Sequence, residues 1–349
     1  MKVFYSASWC FRLLQKTKCI LFLVPALLIF IVLGYLSQYM GDDWQSANLI
    51  DTPFLMLPNS CSETRPPFLV LLVTSAQDQL EARSAIRQTW GRARTTHGKR
   101  VATYFLLGYS REHQEQLQKE SSLHKDIIQK GFTDSYYNLT LKVLMGLEWV
   151  DRFCPSTSFV MKTDSDMFVN VDYLAELLLG MNRKDIFTGF VMRNFGPVRN
   201  IFSKWFISRQ TYPPNVYPSF CSGTGYVLSA DVANRVWNIS RVIPHFKLED
   251  VYIGLCLAEL KIAPVEIHSE EKFHNWKVTF SVCEFRTLIT SHGVNPSELL
   301  SYWESLGEAA GEHCPETGEG GRPPGRGFML TPSNTLPLIP LLFNIIANL

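Results

Sequence analysis

The chain has 349 residues, 46% of them hydrophobic and 19% charged, which is enough apolar material for one large domain or two small ones. A formal net charge of +1 excludes bulk attraction to nucleic acid or to an anionic membrane surface, so no nucleic-acid partner is expected. Any anionic ligand has to be met by local groups.

From the N-terminus, Lys2, Arg12, Lys16 and Lys18 precede an uncharged apolar run from Cys19 to Leu36. As a helix this run is about 27 Å long, enough to span a bilayer. Asp42, Asp43 and Asp51 follow it, with no Lys or Arg before Arg65. The positive-inside rule predicts a cytoplasmic tail over 1–18, a transmembrane signal anchor over 19–36 and a luminal remainder, the layout of a single-pass type II membrane protein. The run exceeds a signal-peptide core and no small-x-small cleavage site follows it, which favours an anchor over a cleaved leader.

Residues 37–66 lack periodicity and carry Pro53, Pro58 and Pro66, and are expected to form a luminal stem. From Phe68 the pattern changes. Phe68 to Val73, FLVLLV, is a continuous apolar run suited to a strand buried on both faces, followed by a helical stretch from Gln77 to Trp90. Further strands are expected over Val101 to Leu107, Asp126 to Gln129 and Phe159 to Thr163, with helices over Arg111 to Ser121 and Leu139 to Phe153. The alternation predicts an α/β fold with a mainly parallel sheet covered on both faces. A strand over Tyr226 to Leu228, a helix opening at Leu248 and a short strand over Pro264 to Ile267 complete the pattern. Beyond Leu306 the composition turns to Gly, Glu and Pro and then to a proline-broken apolar end, so 307–349 is expected to be a disordered extension.

Six cysteines lie beyond the apolar run, at Cys61, Cys154, Cys221, Cys256, Cys283 and Cys314, with no C-x-x-C pair. That spacing argues against zinc, and the even number allows up to three disulfides in an oxidising compartment. Two sequons, at Asn138 and Asn238, are N-glycosylation sites if this topology holds.

The chemistry concentrates where strands are expected to stop. Lys162-Thr163-Asp164-Ser165-Asp166 follows the Phe159 strand, at the sheet edge where open α/β proteins place ligands. Two carboxylates there can converge on a divalent cation that also grips a diphosphate, although a solvated turn reads the same way. Arg83 and Arg87, four apart on one helix face, suit either phosphate contact or surface ion pairing. Trp90 reads as core. Tyr217 to Tyr226 reads as an extended loop in which Gly223 and Gly225 let backbone approach a ligand, or as a tight turn. Glu249 and Asp250 open a helix, where acids complement the dipole and where Asp250 can serve as a general base. His268 is either structural or a further metal ligand.

Six segments in order, PPFLVLLVTS, AIRQTWG, DIIQKGFTDSYYNLTLK, FVMKTDSDMFVNVDYL, FCSGTGYV and KLEDVYIGLCL, resemble the β-1,3-glycosyltransferases of glycosyltransferase family 31, and within them the galactosyltransferases. The likeness runs from Pro67 to about Glu304. It implies a GT-A-type, Rossmann-like catalytic domain over 67–306, UDP-galactose as donor, Mn²⁺ as cofactor, inversion at the anomeric carbon and Golgi residence. By position it implies Asp164 and Asp166 as metal ligands, with His268 loosely matching a ligating histidine. It implies Asp250 as the base, Glu249 beside the sugar, and Arg87, Lys162, Asp164 and Ser165 near the donor. Tyr217, Gly223, Thr224 and Gly225 fall around the sugar and acceptor. The implied acceptors are glycoproteins and glycolipids ending in N-acetylglucosamine (type 1 chains, core 3 O-glycans), with globoside-type glycolipids beside them. Two rivals stand: an enzyme of the same fold moving N-acetylglucosamine, and a non-catalytic carbohydrate-binding membrane protein. The intact Asp164, Asp166 and Asp250 weigh against the second.

Overall fold

The computed structural model describes residues 52–58, 61, 65–268, 272–311 and 313–314, together with Ile29. The expected anchor over 19–36, apart from Ile29, and the extension beyond residue 314 lie outside the described residues. Among the described residues no helix is long and apolar enough to cross a membrane.

Among the described residues there are ten strands: β1 (Phe54–Met56), β2 (Leu69–Thr74), β3 (Arg94–Thr96), β4 (Lys99–Tyr109), β5 (Ile127–Thr133), β6 (Phe159–Asp164), β7 (Met167–Val169), β8 (Phe187–Met192), β9 (Phe220–Ser229) and β10 (Thr290–His292). The helices from residue 52 onward, among the same residues, are α1 (Leu80–Gln88), α2 (Gln114–His124), α3 (Leu139–Phe153), α4 (Val171–Leu179), α5 (Ala230–Ser240), α6 (Glu249–Glu259), α7 (Val282–Thr287) and α8 (Pro296–Glu308). The main sheet has the order β1-β5-β4-β2-β6-β9-β8, with β3 paired to β4.

Every residue of β2 is buried, so it can only be a central strand, and it takes parallel partners on both sides, β4 and β6. Period-two alternation then sorts the side chains into two cores. Val70, Leu72, Tyr104, Leu106 and Val160 face α3, α5 and α6. Leu69, Leu71, Val73, Phe105 and Met161 face the opposite core, with Ile86, Leu174, Phe285 and Leu299 from the helices on that side. The doubly covered α/β sheet expected from the sequence is present, and its four central strands, β5-β4-β2-β6, are parallel.

The sheet's edges are antiparallel, β9 against β6, β8 against β9 and β1 against β5, which a mainly parallel sheet allows. Three expectations change. The expected loop from Tyr217 becomes ten-residue strand β9 from Phe220 onward, because its backbone pairs with β8 at Phe220 and Cys221 and with β6 from Gly225 to Ser229. Pro264 to Ile267 is not a strand. Only the Val265 N–H reaches the sheet edge, donating to the Phe187 carbonyl at 2.8 Å, and Pro264 has no N–H to extend a ladder. The stem is not wholly separate from the domain either. Its three residues in β1 pair with β5, and Cys61 forms a disulfide with Cys154 just past α3. Three residues are too few to show a period.

Cys283 and Cys314 are also disulfide-bonded, while Cys221 and Cys256 are buried free thiols, so the ceiling of three bridges is not reached. Burial pushes the Cys256 thiol up to about 12. The sequon residue Asn238 is exposed on α5, whereas Asn138 is half-buried and donates its amide to the Thr133 carbonyl at 2.9 Å.

The Cys61–Cys154 bridge closes a span of 93 residues and pins β1's flank to the core. Replacing both with serine should lower stability by roughly 2–5 kcal/mol. Denaturant midpoints at constant slope measure this, and an unchanged midpoint would show that the bridge restrains nothing.

Candidate active site

β6 carries the site because of its period and register. Val160, Lys162 and Asp164 share one face, Lys162 lies level with Leu72 on β2 and Tyr226 on β9, and Asp164 lies level with Thr74. The Lys162 side chain is almost completely buried, so its ammonium needs acids and carbonyls around it. It donates to Asp164 Oδ1 at 2.7 Å and to the Gly223 carbonyl, and stands 3.5 Å from Glu249 Oε2. Thr74 Oγ1 donates to the same Asp164 oxygen at 2.6 Å.

The second half of the cluster comes from the N-terminus of α6, where the helix dipole favours negative charge. Glu249 is buried and accepts a 2.5 Å hydrogen bond from the Tyr226 hydroxyl. Asp250 is half-buried, accepting from its own helix at the Val251 N–H (2.8 Å) and from the Gly223 N–H (3.3 Å). Gly223 therefore touches Lys162 through its carbonyl and Asp250 through its N–H. A Cβ at this position would stand 3.3 Å from Glu249 Oε2 and 3.4 Å from Asp250 Cβ, a close fit against both acids. Burial raises the Glu249 pKa to about 7 despite Lys162, and burial also raises that of Asp250.

A cavity of about 510 Å³ opens beside this cluster, lined by the ends of β2 and β6 and the start of α3, within the range of small-molecule sites. Ser75, Gln79, Tyr136, Lys142, Asp164 and Asp166 are among its walls. Gln79 Oε1 accepts from the Ala76 N–H (2.8 Å) and from Ser165 Oγ (2.9 Å), tying the loop after β2 to the loop after β6. Lys142 is a second buried ammonium, donating to the Ser75 carbonyl and to Asp134 Oδ1, both at 2.7 Å. Burial lowers its pKa.

Asp166 is exposed beside the cavity. The short pairing of β7 with β10 sets His292 opposite Met167, and His292 Nε2 lies 3.2 Å from Asp166 Oδ2. The hydrogen bond to Asp166 raises the His292 pKa. A carboxylate oxygen suits a hard divalent cation, and a neutral imidazole nitrogen can add a further ligand. No three His, Cys, Asp or Glu side chains converge as a metal cluster among the described residues, so Asp164, Asp166 and His268 are not assembled as one. The histidine set against Asp166 is His292.

Lys162, Asp164, Ser165, Gly223, Glu249 and Asp250 thus come together as the sequence suggested. Arg87 does not line the cavity: it pairs bidentately with Asp126 (2.7 and 2.9 Å) and with Glu120 (2.8 Å). Arg83, on the same helix face, also holds Glu120 and donates to Ser75 Oγ and the Ala76 and Gln77 carbonyls, bracing the cavity wall from behind. Trp90 is core, its indole N–H donating to the Met167 carbonyl. Tyr217 is buried against Tyr212, Phe220 and Phe246, its hydroxyl without a hydrogen-bond partner, and burial pushes its pKa up to about 12. Thr224 and Gly225 are strand residues beside Thr163, which donates to the Thr224 carbonyl at 3.1 Å. Thr74, Gln79, Lys142, Tyr136 and His292 were missed. The alternation of β2 could have flagged Thr74, while the others depend on tertiary placement.

Comparison with known proteins adds a family. A family profile described as Galactosyltransferase matches residues 81–268. The chain is 52% identical over 287 residues to beta-1,3-galactosyltransferase 5 of Homo sapiens, covering 80% of this chain and 93% of that one. It is also 52% identical to the Mus musculus protein of the same name, covering 75% and 86%. It is 47% identical to beta-1,3-galactosyltransferase 2 of Mus musculus, covering 74% of this chain and 62% of that one.

The raised Glu249 pKa makes a pH prediction. Between about pH 4.5 and pH 7 the unfolded chain has released this proton while the native protein retains it. Stability from this group is therefore complete below pH 4.5 and declines as pH rises through 7. Unfolding free energies of wild type and Glu249→Gln across that window should diverge in slope, the variant being flatter. Parallel curves would mean that Glu249 ionises normally.

Proposed function

The chain belongs to the galactosyltransferase family, and on that premise we propose that it transfers galactose from UDP-galactose to the 3-hydroxyl of acceptors ending in β-linked N-acetylglucosamine, with inversion at the anomeric carbon. That it is a galactosyltransferase, and that its relatives form β-1,3 bonds, follows from the family match and the names of those relatives. The observation that carries the fuller reading is the half-buried Asp250 carboxylate at the head of α6, in one charge cluster with Asp164 and Lys162 beside a cavity of about 510 Å³.

In this reading Asp250 is the general base. Burial strengthens it as a proton acceptor, while the Val251 and Gly223 N–H groups favour its ionised form and fix its direction. Glu249, more deeply buried and bound by Tyr226, positions Lys162 and β9 at Tyr226 rather than taking the proton. Lys162 holds Asp164 in place, and Lys142 fixes the Ser75 wall of the donor cavity. Asp166 and His292 would hold a divalent cation such as Mn²⁺, which offsets the charge that develops on the departing diphosphate. Inversion needs one base and one leaving-group stabiliser on opposite sides of the sugar, and the two groups are supplied by different elements.

Glycoprotein and glycolipid acceptors, type II topology and Golgi residence belong to the same proposal. The charge asymmetry about the N-terminal apolar run, the disulfides and the exposed Asn238 sequon support the topology and a secretory compartment.

The test is transfer by the full-length chain in detergent, with UDP-galactose or UDP-N-acetylglucosamine as donor and Mn²⁺ or chelator present. Galactose transfer that chelation stops, with the product mapped as β-1,3, is expected. Transfer of N-acetylglucosamine instead would overturn the donor, and a folded protein inert with every donor would support the binding-protein reading. Asp250→Asn should cost at least ~100-fold in kcat with little change in UDP affinity. His292→Ala should weaken Mn²⁺-stimulated UDP binding, a loss visible by calorimetry without turnover. Unchanged binding would remove His292 from the metal site.

A further inference from the structure

Between β8 and β9 the chain makes a long excursion, residues 193–219, which carries several exposed apolar side chains, including Phe195, Phe202 and Trp205. The excursion is tightly built. Arg199 donates to three of its carbonyls, those of Ile207 (2.8 Å), Tyr212 (2.8 Å) and Pro214 (2.9 Å), and Val198 bridges to Phe206. One of the exposed rings is tied to the catalytic cavity. The Trp205 indole N–H donates to the Tyr136 hydroxyl at 3.1 Å, and Tyr136 itself lines the cavity with Lys142 and Asp164. Both rings remain about half exposed, Trp205 at 48% and Tyr136 at 47%. The Lys204 ammonium lies 4.9 Å from the Trp205 ring centre and 5.2 Å from that of Tyr136.

Held by its N–H and met over one face by the Lys204 ammonium, the indole keeps a fixed orientation and still exposes about half its surface next to a residue of the cavity wall. The hydroxylated rim and apolar face of a pyranose suit that surface: the sugar's C–H groups pack on the ring, and its hydroxyls meet the nearby ammonium. We propose that Trp205, oriented by Tyr136, is the stacking platform for a sugar ring of the acceptor glycan, holding the acceptor beside the cavity that Tyr136 and Asp164 line. This rests on the galactosyl-transfer reading for the identity of the ligand as an acceptor, and on the geometry alone for its being a glycan. The excursion's other exposed apolar side chains, Phe195, Ile201, Phe202 and Val216, show no side-chain hydrogen bond to a cavity residue and are not included.

The test uses the full-length chain and two measurements: steady-state transfer, and direct binding of a β-N-acetylglucosamine glycoside lacking the 3-hydroxyl, which binds without reacting. Because Trp205 is half exposed, Trp205→Ala should fold normally. It should raise both the acceptor KM and the glycoside Kd by roughly three- to tenfold, the scale of one aromatic contact, and leave UDP affinity unchanged. Trp205→Phe, which keeps an aromatic face, should recover most of the loss. Unchanged glycoside binding in Trp205→Ala, or an equal loss of UDP affinity, would overturn the platform. If the wild type transfers no galactose yet binds the glycoside, and Trp205→Ala weakens that binding, the platform stands and the transfer reading falls.

Discussion

An ammonium buried in the middle of a β-sheet is tolerated only where carboxylates and carbonyls replace the water it has lost, and Lys162 imposes that condition on three separate elements. Asp164 on its own strand, the Gly223 carbonyl on β9 and Glu249 at the head of α6 all converge on it. Because each approaches from a different element, the position of the ammonium sets the distances between the acids. The acids would repel one another without it, and Lys162 would be a stranded charge without them. Burial within the same cluster raises the Glu249 pKa to about 7 and raises that of Asp250 as well.

A second set of charges holds the cavity wall opposite. Arg83 and Glu120, both buried, form a bidentate pair, and the arginine's remaining hydrogens hold the Ser75, Ala76 and Gln77 segment after β2. Lys142 from α3 grips the Ser75 carbonyl from the other side. The loop that begins the cavity is therefore clamped by two cations anchored to different helices. Such preorganisation spares a ligand the cost of ordering the loop itself. It also explains why an arginine pair on one helix face, which suits phosphate binding in sequence, serves here as a brace: Glu120 and Asp126 already neutralise it.

The fold was legible where burial is continuous and local. FLVLLV, the Phe159 strand and the Leu139–Phe153 helix carry their periods openly, and they form the centre of the sheet and the helix that covers it. Edge elements were not legible. β1, β7 and β10 are three residues each, and the antiparallel course of β9 depends on its pairing with β6 rather than on its own pattern. The site divides the same way. Lys162, Asp164, Glu249 and Asp250 stand at strand and helix ends and could be read from spacing. His292 could not, because its place beside Asp166 comes from a three-residue ladder across more than 120 residues of sequence. His268 had the composition of a ligand without that ladder. Tyr136 and Trp205 meet across 69 residues through a single hydrogen bond that no sequence pattern encodes.

The dependence of the acids on Lys162 is the central claim, and a double-mutant cycle on unfolding free energy tests it most directly. At about pH 8, above the pKa of about 7 that Glu249 has beside Lys162, Lys162→Met alone leaves Glu249 and Asp164 uncompensated and should cost roughly 3–5 kcal/mol. Combined with Glu249→Gln, which removes one of the stranded charges, the loss should fall short of the sum of the single losses by at least ~1 kcal/mol. Losses that add to within ~0.5 kcal/mol would contradict the account, because the lysine and the helix-borne acid would then be independent neighbours rather than one charge-balanced unit.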